Sequence, residues 1–356
     1  MIYELRFVWV KLFFYIARLF DKKINSSIFK MNVSMKKLFT FFFASLWLST
    51  SWAQQQAQYS LYMLNPYGAN PAAAGLEKTL VATGGFRSQW VGLAGSPVTQ
   101  YINVSLPLPI LSSGVGISVE NESIGARRGL AAKVSYAFIK KMGEAQLSFG
   151  ASAGILQGSL DGAKLRTPEG DYLQGVIDHQ DKFLNSVNVN GIVPTFDAGI
   201  YFKNNKLDLG VSVANLTEPK LSLEKQVVTQ LQLKRHYLAY AATQFNLFAG
   251  FVAHPSVFLK SDGKQVQIDF SAIFRYDNNF FVGTTFRGYS KTTQDALVLL
   301  GGFKLNPKMA IAYSYDITLS PLKTVNTGSH EIVLQYNIGR ELGKGKLPPI
   351  IYNPRF

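Results

Sequence analysis

The 356-residue chain contains no cysteine. Disulfide scaffolds, thiolate zinc sites, iron–sulfur clusters and cysteine nucleophiles are therefore excluded. Charge is scarce as well: Asp, Glu, Lys and Arg make up 16% of the residues, against ~25% in an ordinary soluble domain. Histidine is limited to His179, His236, His254 and His330. None has a second histidine at i+2 or i+4, so no metal site is written locally. There is no G-x-S-x-G elbow, and Gly114-Val115-Gly116 lacks the third glycine and following helix of a dinucleotide site. No catalytic group and no cofactor is therefore expected, and a hydrolase or protease is the minor alternative. Beyond Ala53 no apolar run approaches 18 residues, which excludes membrane-spanning helices there.

The abundances point elsewhere. Phe (26), Tyr (17) and Gly (30) are plentiful and the mean hydropathy is slightly positive at +0.08. Such a chain is too aromatic and too poor in charge to stay disordered. The composition suits a membrane β-barrel. The net charge of +14 divides unevenly: six Lys and two Arg against Glu4 and Asp21 leave +6 in the first 53 residues and +8 in the rest. In that remainder the cations are scattered, with no run longer than a pair such as Arg127-Arg128, Lys140-Lys141 or Lys234-Arg235. No nucleic-acid partner is expected.

From Met35 the chain reads MKKLFTFFFASLWLSTSWAQQQ. Lys36 and Lys37 form a cationic start, Leu38 to Leu48 an apolar stretch, and Ser51-Trp52-Ala53 puts small residues at −3 and −1 of a cleavage site. This predicts a secretory signal peptide over 35–53, too short to span ~30 Å of hydrocarbon. Residues 1–34 then read as an upstream extension from a start placed too early; a transmembrane helix around Phe7 to Phe20 would have to contain Lys11 and Arg18. The mature chain is expected from about Gln54, exported to the outer membrane.

In the mature chain, apolar and polar residues alternate. Leu147, Phe149, Ala151, Ala153 and Ile155 interleave with Gln146, Ser148, Gly150, Ser152 and Gly154. Leu207 to Val213, Val266 to Phe274 and Ile332 to Ile338 repeat the pattern. Successive side chains of a strand point to opposite faces, so each segment has one apolar face. Segments of ~10 residues with this habit span a bilayer as a closed barrel, lipid outside and a polar lumen inside. A soluble β-sandwich would alternate too, but long strands, the export signal and unequal connections weigh against it. Tight links at Lys140–Glu144, Asn204-Asn205, Asp277–Asn279 and Asn306–Lys308 contrast with long ones near 157–194, 215–235 and 317–327. Short periplasmic turns and long outer loops are the habit of these barrels. The expectation is an all-β transmembrane outer-membrane barrel over 78–338 with about 14 antiparallel strands. The least defined pair is Val257–Leu259 and Gln265–Tyr276.

Several motifs resemble one family. Gln58-Tyr59-Ser60-Leu61-Tyr62-Met63-Leu64 followed by NPYGANPAAAG (Asn65 to Gly75) is similar to the opening of the PorP/SprF outer-membrane proteins of the type IX secretion system of Bacteroidota. Phe86-Arg87-Ser88-Gln89-Trp90 and Gly95-Ser96-Pro97-Val98-Thr99 follow in that family's order. Gly283 to Arg287, Tyr313-Ser314-Tyr315-Asp316 and Gly328-Ser329-His330-Glu331-Ile332 resemble its later blocks. The resemblance spans 54–356 and departs at Asn353-Pro354-Arg355-Phe356, where relatives often carry cysteine before the proline. It implies a docking protein of secretion or gliding. Such a barrel would display a secreted adhesin or other type IX cargo and engage periplasmic lipoproteins linked to peptidoglycan, within outer-membrane lipid. A passive channel for small or hydrophobic solutes is the alternative.

The same residues have a physical reading. The pairs Asn65-Pro66 and Asn70-Pro71 force turn or extended geometry, so 54–77 is expected to be an ordered periplasmic plug or lead-in. Arg87 can face a lumenal carboxylate and Trp90 suits an interfacial belt. Arg287 and Asp316 can pair across the lumen. Together with Tyr315, His330 and Glu331, these residues serve either barrel architecture or partner contact. After Ile338 the polar, glycine-rich Gly339–Lys346 leads to a proline-rich end whose Pro354, Arg355 and Phe356 belong to a 339–356 tail. That tail either folds back into the lumen or docks on a periplasmic partner.

Overall fold

The computed structural model describes residues 56–338 apart from 173–176, 181–187, 223–229, 249, 278 and 291–292. The proposed leader, the upstream extension and the 339–356 tail lie outside the described residues.

The strands are β1 (Val81–Ser88), β2 (Val98–Leu108), β3 (Ser113–Ile124), β4 (Arg127–Met142), β5 (Ala145–Asp161), β6 (Asn188–Lys203) and β7 (Leu207–Ala214). They continue with β8 (Lys220–Ser222), β9 (Gln230–Gln232), β10 (His236–Thr243), β11 (Phe245–Phe248), β12 (Phe251–Ser261) and β13 (Val266–Tyr276). The last are β14 (Phe280–Arg287), β15 (Ala296–Asn306), β16 (Met309–Thr318) and β17 (Ser329–Asn337). Strands β10 and β11 pair with β12 in one register, Tyr237 opposite Ser261 and Phe245 opposite Ala253, so they are one strand interrupted at Gln244. Only β8 and β9 stand apart, as a small hairpin inside the long β7–β10 connection. Each remaining strand pairs antiparallel with its neighbour, and β1 pairs with β17. The result is a closed 14-stranded antiparallel barrel, with no unpaired edge to satisfy inside a bilayer.

The alternation decides the faces. Ile102, Val134, Phe149, Val211, Phe274, Leu299 and Leu334 are exposed on the outer wall. An apolar surface of that extent is intolerable in water and suited to lipid. Inward positions carry small or polar groups, such as Thr83, Asn103, Ser148, Ser212, Ser271 and Ser314. The links after β2, β4, β6, β11, β13 and β15 are none longer than four residues. The opposite rim carries the long ones, 162–187, 215–235 and 319–328. The short connections after β3 and β12 lie there too.

Strands β5 and β6 run further than the alternation indicated, pairing out to Leu160 opposite Val189. The reason is a reversed pattern. Beyond the membrane band the inward positions turn apolar, and Leu156, Leu160, Val189 and Val193 pack against Leu221 and Leu233 from the β8–β9 connection. The outward Gln157, Ser159 and Asn190 are polar, as a wall in water requires. The doubtful pair is a regular hairpin of β12 and β13, closed by a turn in which the Asp262 carboxylate accepts from the amides of Lys264 and Gln265.

Candidate functional site: a plug latched in the lumen

Residues 56–77 lie inside the barrel. Their fold follows from the two Asn-Pro units. Asn65 accepts a hydrogen bond from the Gly68 amide and Pro66 opens a single helical turn, Pro66–Ala69. Asn70 accepts from the Ala72 amide at 2.9 Å and Pro71 opens a 3-10 turn, Pro71–Ala73. Asn at the cap and Pro at the first position are favoured for such starts, because the cap accepts an orphan amide and Pro has none to lose. Asn70 does more. Its Nδ2 donates to the carbonyls of Ile200 (3.0 Å) on β6 and Val211 (3.1 Å) on β7, fastening the plug to that wall.

That wall is shaped to receive it. A Cβ at Gly150 would lie 2.3 Å from the Ala72 nitrogen, one at Gly114 2.2 Å from the Ala74 oxygen, and one at Gly116 2.3 Å from the Tyr67 ring. Only glycine lets the plug backbone approach the strands this closely. The rings of Tyr67 and Tyr201 and the alanines 72–74 form a buried cluster there. Gly85 and Gly302 instead make room for the rings of Tyr101 and Phe281 from adjoining strands.

Against the opposite wall the plug meets charge. Ser60 is completely buried, and Arg87 on β1, Asp269 on β13, Arg287 on β14, Asp316 on β16 and Glu331 on β17 are each 1% exposed. Arg87 Nη2 lies 2.7 Å from Asp316 Oδ2 and its Nη1 3.3 Å from Glu331 Oε2. Arg287 donates from Nη1 to Asp316 Oδ2 at 2.9 Å and from Nε to Asp269 Oδ2 at 3.1 Å. Ser60 sits at the centre. Its hydroxyl donates to Asp316 at 2.8 Å and accepts from Arg87 and Arg287, each at 3.0 Å, while its amide donates to Glu331 at 2.6 Å. Two guanidiniums thus share three buried carboxylates and one plug hydroxyl, with the more exposed Asp295 3.8 Å from Arg287 Nη1 at the margin. Arginine suits the position because its planar fork donates to several acceptors at once. Register assembles the cluster: Arg87 faces Glu331 across β1–β17, and Asp269 faces Arg287 across β13–β14.

Further contacts extend the seating. Gln58 donates to Gln267 (2.7 Å) and accepts from Gln89 (2.9 Å), and the Tyr59 hydroxyl donates to Glu120. Tyr62 stacks on Phe258 and bonds Ser271 at 2.8 Å. Below the plug a vestibule of about 740 Å³ lies toward the short-turn rim, bordered by Tyr201, Tyr240, Phe281, Lys206 and Arg275. Among the described residues, the cavities bordering the plug beyond it measure about 70, 30 and 10 Å³. No group of three or more His, Asp or Glu among those residues is arranged to hold a metal ion.

The residues singled out in the sequence separate into groups. Asn65, Pro66, Asn70 and Pro71 shape the plug. Arg87, Arg287, Asp316 and Glu331 meet in the ionic cluster. Tyr315 and His330 do not: they face outward near the long-loop rim, with rings 5.1 Å apart. There Tyr315 donates to the Thr327 carbonyl and His330 bonds the Tyr313 hydroxyl at 2.6 Å. Trp90 follows β1 in a left-handed backbone conformation (φ 51°), its amide donating to Ser329 Oγ. Pro354, Arg355 and Phe356 lie outside the described residues. Sequence reasoning missed Ser60 and Asp269. Asp269 carried a signal, as an inward acid one hairpin from Arg287; Ser60 carried none.

Fold and site together define an integral outer-membrane β-barrel whose lumen is plugged above a vestibule by residues 56–77 of its own chain. The chain belongs to the family described as type IX secretion system membrane protein PorP/SprF, which matches residues 51–336. That family is one of membrane secretion proteins rather than enzymes. No curated protein matches the chain. Among solved structures it is similar to the Acinetobacter baumannii outer membrane protein Omp33, at 7% identity and TM-score 0.41 over 73% of this chain and 97% of that one. It is likewise similar to a Pseudomonas aeruginosa FadL homologue, at 13% identity and TM-score 0.43 over 75% and 92% of the two chains. The Pseudomonas putida toluene transporter TodX is similar at 10% identity and TM-score 0.43 over 80% and 95%.

Proposed function

We propose that this barrel is a docking element of the type IX system: its outer loops hold or display a secreted surface protein of adhesin type, and its periplasmic end links to lipoprotein partners on peptidoglycan. The observation that carries the reading is the filled lumen. A plug fixed by a buried ionic cluster suits a scaffold better than an open pore. The long loops supply adaptable surface, with Trp90 at the base of one of them. The tail ending in Pro354, Arg355 and Phe356 supplies apolar anchors on the periplasmic side, where three prolines among its last ten residues favour an extended segment. Deleting 347–356 should leave a heat-modifiable, inserted barrel that no longer co-purifies with periplasmic lipoproteins. Retained partners would refute the tail's role. Purified barrel should carry little current in planar bilayers; a large, steady conductance would favour the passive channel instead.

A further inference from the structure

The plug runs through the lumen in an unexpected direction. Gln56 lies at the long-loop rim: its amide donates to His236 at the start of β10, and its carbonyl accepts from Lys260 Nζ near the end of β12. Gln58 bonds Gln267, near the start of β13, and Gln89, just past β1. All of these positions border the long-loop end. The chain then descends through Ser60 and Tyr67. It reaches the short-turn rim where Gly75 packs against Gly114 and Pro107 and Glu77 pairs with Lys203 at 2.6 Å. Only then does β1 climb again from Val81.

Gln56, the first described residue, therefore stands at the long-loop end of the lumen. If the leader is removed after Ala53, Gln54 and Gln55 remain ahead of it and reach no further than ~7 Å. If it is not removed, its apolar stretch stays anchored in the membrane where export began, across the periplasm. A chain from that anchor to Gln56 would have to pass up a lumen already occupied by 56–77. The cavity of about 70 Å³ beside the upper part of the plug admits only a few waters at ~30 Å³ each. From this geometry we infer that the mature amino terminus is presented at the outer face of the barrel. This rests on the leader reading, which amino-terminal sequencing of the inserted barrel checks, and on the long loops facing outward, which Glu169→Cys checks.

Because the chain has no cysteine, single cysteines report position cleanly. Gln56→Cys, Glu169→Cys in the longest loop and Lys206→Cys at the short-turn rim are treated with a membrane-impermeant maleimide on intact cells. Glu169→Cys and Gln56→Cys should label, and Lys206→Cys only after permeabilisation. Since Gln56 is half-buried, a short hydrophilic epitope inserted between Ala53 and Gln54 gives a second readout and should bind antibody on intact cells. An epitope reached only after permeabilisation, with Glu169→Cys labelled from outside, overturns the proposal. Glu169→Cys labelled only after permeabilisation shows the orientation to be inverted, and surface presentation falls with it.

Discussion

Replacing Arg287 by methionine would measure how firmly the plug is latched. The substitution keeps much of the side-chain length and removes the charge. Arg287 donates to Asp269 (3.1 Å), Asp316 (2.9 Å) and Ser60 (3.0 Å), all buried. Without it Arg87 still holds Asp316 and Glu331, but Asp269 keeps no guanidinium partner. Breaking a buried pair by removing one partner costs about 3–5 kcal/mol, because the other charge is left uncompensated. The β13–β14 ladder is made by backbone groups and survives, so the loss falls mainly on the seating of Ser60. At about 1.4 kcal/mol per factor of ten, the released fraction should rise by about a hundredfold or more. Limited proteolysis of detergent-held barrel reads that fraction when opening is fast relative to cleavage. Cuts between Ala57 and Glu77 should accelerate accordingly while the barrel stays heat-modifiable. Arg287→Lys should recover only part, since an ammonium keeps the charge but lacks the fork that reaches Asp269, Asp316 and Ser60 together. A plug in Arg287→Met cut no faster than wild type would refute the latch.

Gly150→Ala would push a methyl to 2.3 Å from the Ala72 nitrogen, whereas Gly84→Ala meets nothing nearer than 3.9 Å; the first should expose the plug to protease and the second should not. Asn70→Ala removes the cap on Ala72 and two bonds to the wall. At about 1 kcal/mol net per hydrogen bond, plug release measured by the same proteolysis should rise by one to two orders of magnitude. Amino-terminal sequencing of outer-membrane material should begin at Gln54; a start before Met35 would sink the leader reading.

The barrel was legible in the sequence because lipid imposes a strict period of two, and Phe149, Val211 and Phe274 obey it. Legibility failed where the solvent changes. At Leu156, Leu160, Val189 and Val193 the apolar side turns inward, so the strands looked finished before they were. The charged half of the site could be read as inward Arg and Asp in a low-charge chain, since such groups need partners. Ser60 could not, because a serine in an apolar run has no local mark of what surrounds it. Nor could the receiving role of Gly114, Gly116 and Gly150: alternation gives their face but not what presses on it.

The plug touches two walls that lie across the barrel from each other. Asn70 is fastened to β6 and β7, and Ser60 is held by β1, β14, β16 and β17. It is therefore a strut across the bore. A hollow barrel resists flattening only through the stiffness of its hydrogen-bonded wall. Here, squeezing the circular outline would first have to tear Ser60 from its charges or lift Asn70 from two carbonyls. Deformation of the cross-section is therefore resisted inside the cylinder as well as around it.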